Sequence, residues 1–153
     1  MNAPRNLSPG STEILRAVIR AIRPHGHGFD QPIEEDVLLE VDRTIPFLPA
    51  PLRLLFPLGL RLLEWGPLPF AGKPTRLSKM PREEALHYCE GWLESRIPQR
   101  RMLMLGVRAL VYLGFFQHPT VLEAMGVGWD RRMVETIRLR AETLDHAYYG
   151  YPR

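Results

Sequence analysis

The chain has little with which to staple or charge itself: one cysteine, Cys89, and two lysines, Lys73 and Lys79, among 153 residues. A lone cysteine excludes an intramolecular disulfide, and the position of Cys89 on an apolar helical stripe predicts an inert thiol. Positive charge is therefore almost all arginine, and the net charge of +3 is spread among seventeen carboxylates along most of the predicted helices. Mixed signs of this kind predict no nucleic-acid binding, which calls for basic residues gathered on one face. No segment alternates with period two, so strands are not expected. The longest apolar stretch, Met102 to Phe116, is too short to span a bilayer and is interrupted by Arg108, so no transmembrane segment is expected. Residues 1–10 hold one arginine and no apolar run. That pattern is not an export signal and predicts a cytoplasmic chain, exported only if a partner carries it.

Chemical motifs are as scarce as cysteines. Gly72 and Lys73 lead into Pro74 where a phosphate loop would need serine or threonine, and no strand precedes them. Ser78 and Ser95 have no context that would activate a hydroxyl. Glu84 and His87 form a single Glu-x-x-His pair, where a di-iron site needs two. His25 and His27, two apart in a PHGHG segment, have the spacing to share a metal ion but no third ligand tied to them, so a turn is the simpler reading. His118, before Pro119, has the chemistry of a general base or haem ligand, yet at a helix end it is better placed to satisfy backbone groups. The expectation is no catalytic, cofactor-binding or metal-binding residue in this chain.

What the sequence does contain is helical periodicity. Ile14, Leu15, Val18, Ile19 and Ile22 repeat at three and four residues, with Ser11 as a cap and Pro24 as a stop. Ile33, Val37, Leu38, Val41 and Ile45 mark a second helix whose outer face carries Glu34, Glu35, Asp36, Glu40 and Asp42. From Pro51 to Trp65 the pattern is apolar nearly all round, and Pro57 predicts a bend or break near Leu54 to Phe56. Gly66 to Thr75 reads as a loop dividing the chain into two halves. Beyond it, Pro81 opens a helix with Ala85, Leu86, Cys89, Trp92, Leu93 and Ile97 inward. Pro98 opens another, whose wide apolar circumference places it in the middle of the bundle, with Gly106 and Gly114 as sites of close backbone approach. Two turns from Pro119 to Met125, closed by Gly126, precede a last helix from Asp130 with Met133, Val134, Ile137, Ala141 and Leu144 inward. The expected fold is all-α, a compact bundle of about six helices with a Pro/Gly-rich loop between two halves. Residues 1–10 read as a flexible tail, 11–147 as one helical domain and 148–153 as an aromatic tail.

Aromatic residues gather near the chain breaks, and with the over-apolar Leu52 to Leu63 segment they suit a dry docking surface for another protein. One long stretch also carries a family pattern through Leu77, Met80, Arg82, Glu83, Tyr88, Trp92, Ser95, Arg100, Arg101, Leu110, Phe115, Phe116, His118, Pro119, Val121 and Gly126. It resembles the helical region that precedes the flavin domain of long-chain alcohol oxidases in the glucose-methanol-choline (GMC) oxidoreductase superfamily. It is also similar to the separate small subunit of some GMC-type dehydrogenases, the gluconate 2-dehydrogenase subunit 3-like proteins. The resemblance implies a non-catalytic accessory subunit that binds a large flavoprotein dehydrogenase, with FAD held by that partner and a substrate that is an alcohol, sugar or sterol-like compound. The dinucleotide-binding Gly-x-Gly-x-x-Gly is missing, so such a chain would act in trans. Partner contacts are expected at Phe116, His118, Trp129, Tyr148, Tyr149 and Tyr151, since aromatic anchors dominate interface energetics. The alternative is a stand-alone helical protein that binds an apolar small molecule, for which a closed cavity flanked by His118 and Arg108 would speak.

Overall fold

The computed structural model describes residues 6–26, 29–67 and 75–126, and every element in them is helical. They are α1 (Pro9–Ile22), α2 (Glu34–Thr44), α3 (Ala50–Trp65), α4 (Arg82–Leu93), α5 (Pro98–Phe116) and the short α6 (Pro119–Ala124), with 3₁₀ turns at Ile45–Phe47 and Leu77–Lys79. The expected all-α bundle is thus what the chain forms. The helix expected from Asp130 and the tail from Tyr148 lie outside the described residues, as does 68–74 of the predicted loop.

α1 is the helix around which the others assemble. It packs on α2, α3, α4 and the second 3₁₀ turn, while α5 lies across α2 and α4. Its wide buried face, with Leu15, Val18 and Ile19 fully inaccessible, follows from the i, i+3, i+4 spacing of those residues. Ser8, not Ser11, caps it: the Ser8 hydroxyl accepts from the Ser11 N–H at 3.2 Å, and Pro9 fills the first turn where no N–H is needed. Ser11 lies one turn inside and is buried.

The segment before α1 is held by an acid that the pattern placed on the outside. Asp42 is buried, and its carboxylate accepts from the backbone N–H groups of Leu7 at 3.0 Å and Asn6 at 3.1 Å. Asn6 also donates through its side chain to the Asp42 carbonyl at 2.9 Å. Two donors ahead of α1 thus find a partner on α2, and Leu7 is drawn into the core. Fixed structure therefore reaches back into the segment read as a tail. Arg23, also buried, ties the α1–α2 connection together by donating to the Gln31 carbonyl at 2.6 Å and pairing with Glu34 at 3.1 Å.

Of the bend or break expected at Pro57 no break occurs, and the central place expected for α5 is corrected. α3 runs unbroken through Pro57 from Ala50 to Trp65. Arg53, whose carbonyl loses its helical donor at Pro57, is exposed, so water can take that donor's place. α5 is not the middle of the bundle: Met104, Val107, Val111 and Phe115 are buried, but Met102, Leu105 and Leu113 are exposed. Gly114 does meet another backbone, with a Cβ there 3.3 Å from the Val37 carbonyl, whereas Gly106 has open space around it. On α4, Ala85, Cys89 and Trp92 face the core as expected, but Ile97 at the turn beyond is exposed.

Candidate functional site

The family pattern falls largely on residues whose work is structural. Leu77, Trp92, Phe115 and Val121 are buried, and Tyr88 donates its hydroxyl to the Leu63 carbonyl at 3.0 Å. Arg82 reaches the Arg20 carbonyl at 3.2 Å. Ser95 and Arg101 close the α4–α5 turn: the Ser95 hydroxyl accepts from the Ile97 N–H at 3.2 Å, and Arg101 donates to the Ser95 carbonyl at 3.2 Å. Arg100 lies over the Trp92 ring, 4.6 Å from its centroid. Gly126 ends α6 at a φ of 68°, a left-handed position that suits glycine. Most residues of that pattern thus serve packing in this chain.

Two of its residues stand apart, at the corner where α5 turns into α6. Phe116 is exposed at the end of α5, edge-on to Phe115 with centroids 5.2 Å apart and to Tyr112 at 5.8 Å. His118 caps α6, its Nδ1 accepting from the Thr120 N–H at 3.3 Å. That contact leaves the ring proton on Nε2, which faces the Asp36 carboxylate at 3.4 Å. Both ring nitrogens are engaged, one by the helix end and one by α2, so His118 links the two elements. Asp36, Glu40, Arg43, Gln117 and His118 line a polar cleft of about 330 Å³. Of the predicted contact residues, then, Phe116 and His118 lie at the same helix corner, two residues apart; Trp129, Tyr148, Tyr149 and Tyr151 lie outside the described residues.

The other chemical candidates are spread over the fold. Among the described residues, no three His, Cys, Asp or Glu side chains come together in a way that could hold a metal ion. His25 faces Asp30 at 3.5 Å, and burial, then the charges of Arg23 and Arg82, hold it below the usual histidine range. His27 lies outside the described residues. Glu64, the one acid on α3, is buried and occupied: it accepts from the Ser78 hydroxyl at 2.6 Å and the Ser78 N–H at 3.0 Å, fastening the second 3₁₀ turn to α3. Cys89 is buried, and the low polarity around it pushes its thiol up to about 12. Alkylation of the native protein at about pH 8 is therefore expected to be slow, with full reaction only after unfolding. Fast labelling of folded protein would show that the α4 face opens.

A second surface, apolar where the first is polar, runs along α3 and α5. Between them lies a groove of about 460 Å³ lined by Leu52, Leu55, Met102, Leu110 and Leu113, with walls that are almost wholly apolar. The two helices meet where Gly59 lets Leu103 approach. The sequence signal for this face was the over-apolar Leu52 to Leu63 segment; the contribution of α5 was missed because its apolar circumference was read as buried. No described helix is long and apolar enough to cross a membrane.

Among the described residues, the fold and these surfaces define an all-helical bundle with a polar α5–α6 corner and an apolar α3–α5 face. No protein-family model matches the chain, and no curated protein or solved structure does either.

Proposed function

We propose that this chain is a non-catalytic small subunit that binds and stabilises a GMC-type FAD-dependent dehydrogenase acting on an alcohol, sugar or sterol-like substrate. The family pattern from Leu77 to Gly126 supports this reading. The observation that carries it is the α5–α6 corner, where Phe116 is exposed at the end of α5 and His118, two residues on, lines a cleft with Asp36, Glu40 and Arg43. An aromatic anchor with charges of both signs is the composition that concentrates binding energy at protein interfaces. FAD and the active-site groups belong to the partner in this reading.

The test is co-expression with a GMC-type flavoprotein from the same genome, followed by size-exclusion chromatography. The two chains are expected to co-elute. Phe116→Ala is expected to weaken the complex by about tenfold or more, because anchor truncations cost about 2 kcal/mol upward. Its fold should persist, since the side chain is exposed. Separate elution of the wild-type chains would count against the reading.

An apolar small-molecule binder is the second reading. The α3–α5 groove has the volume of a ligand site. It is open to solvent along its exposed leucines, however, and neither Arg108 nor His118 is among its lining residues.

A further inference from the structure

We propose that the α3–α5 face is a membrane-surface contact that lays the bundle on an anionic lipid bilayer without crossing it.

The distribution of exposed apolar side chains points there. α1, α2 and α4 leave no large apolar side chain exposed, whereas Phe47, Leu54 and Met102 are 86, 74 and 68% accessible. On α3, Leu54, Leu58, Arg61 and Trp65 follow one another at four, three and four residues, along a single outward line. On α5, Met102, Leu105, Ala109 and Leu113 do the same, ending at Phe116, and all are exposed. Neither line would stay in water without a reason, since contiguous apolar surface of this kind marks a contact.

Charge selects the occupant. The exposed charged groups of α3 and α5 are Arg53, Arg61, Arg101 and Arg108, all cationic. The only carboxylate on either helix, Glu64, is buried against Ser78. The acids are kept elsewhere, with Glu13, Glu35, Asp36, Glu83, Glu84 and Glu90 exposed on α1, α2 and α4. A surface of leucines set among arginines, with no exposed acid on either helix, complements a bilayer carrying anionic headgroups. Long arginine side chains can reach the phosphates while their stems and the neighbouring leucines enter the acyl boundary. Trp65, at the end of α3 with the Arg76 guanidinium 4.1 Å above its ring, has the amphipathic character favoured at that depth. A polynucleotide would satisfy the arginines but leave the leucines in water; a bilayer covers both.

Flotation tests this. The full chain is synthesised cell-free in the presence of vesicles of phosphatidylcholine alone, or of phosphatidylcholine and phosphatidylglycerol in a two-to-one mixture, and floated through a density gradient. It is expected to float with the mixed vesicles, and less well as salt rises. Leu54→Glu with Leu58→Glu is expected to lower the floating fraction about tenfold or more, with the helical circular dichroism unchanged because both positions face solvent. Arg53→Gln with Arg61→Gln is expected to lower it about tenfold on the mixed vesicles and flatten its salt dependence. Wild-type chain that stays at the bottom of the gradient overturns the proposal, as do variants that float like wild type. A dimer, or a flavoprotein complex, that both leucine substitutions abolish while the wild-type chain fails to float would assign the face to protein instead. Flotation needs no flavoprotein, so its failure leaves co-elution through Phe116 to be judged separately.

Discussion

Trp92→Ala is expected to lower the melting temperature by roughly 6–20 °C. The indole is fully buried at the centre of the second half of the bundle, edge-on to Tyr88 with centroids 6.0 Å apart and beneath the Arg100 guanidinium. Truncating a buried tryptophan to alanine costs about 3–5 kcal/mol through lost transfer energy and the cavity left behind. A domain of this size is stable by about 5–15 kcal/mol in all, so that loss removes a large share. Arg100 would also lose the ring it stacks on, adding to the cost. Trp92→Phe keeps much of the volume and is expected to cost less than half as much. Thermal and urea melts followed by circular dichroism would show the ordering. An alanine variant melting within a few degrees of wild type would mean that α4 contributes little to the core.

Gly66→Ala, a change of one methyl group, is also expected to destabilise the fold. Gly66 ends α3, its N–H donating to the Leu62 carbonyl at 2.9 Å. A Cβ there would lie 2.8 Å from that carbonyl oxygen and 2.8 Å from the Trp92 ring, and closer still to the Tyr88 hydroxyl. The tyrosine cannot step aside cheaply, because the same hydroxyl is bonded to the Leu63 carbonyl. Overpacking of this kind costs about 1–3 kcal/mol, and more when backbone is the obstacle. For a chain of this length the melting temperature should fall by roughly 3–10 °C. Tyr88→Phe in the same chain is expected to recover part of the loss by removing the nearest obstacle, so the double variant should be more stable than the two separate costs would add up to. Strict additivity would show that the hydroxyl is not what the methyl group meets.

Much of the fold can be read in the sequence because apolar residues spaced by three and four leave few alternatives to helices. Proline at 9, 98 and 119 and glycine at 126 then punctuate them. Local pattern misled where a distant partner decided the outcome. Asp42 sits among the acids of α2 and looks solvated, yet Asn6 and Leu7 recruit it from before α1. Ser11 looks like the cap because the apolar periodicity starts after it, but Ser8 and Pro9 begin the helix a turn earlier. α5 has too much apolar circumference for a surface helix, so it was placed in the centre. α1 occupies that place, and α5 keeps an open face. Period alone cannot distinguish a helix buried all round from one that awaits a contact. Of the candidate site, Phe116 and His118 were visible as an aromatic and a histidine at a helix break. The Asp36 partner of His118 was not, because it lies 82 positions earlier in the chain and only the packing of α2 on α5 brings it near.

If the chain works by docking and not by chemistry of its own, its effect should be measurable on a flavoprotein. The most direct measurement is FAD-linked alcohol oxidation by the co-expressed GMC-type dehydrogenase, with and without this chain, alongside the chain alone. The account predicts no turnover by the chain alone and a several-fold gain in active, FAD-loaded dehydrogenase when both are made together. Turnover by the isolated chain, or a dehydrogenase equally abundant and active without it, would contradict the account.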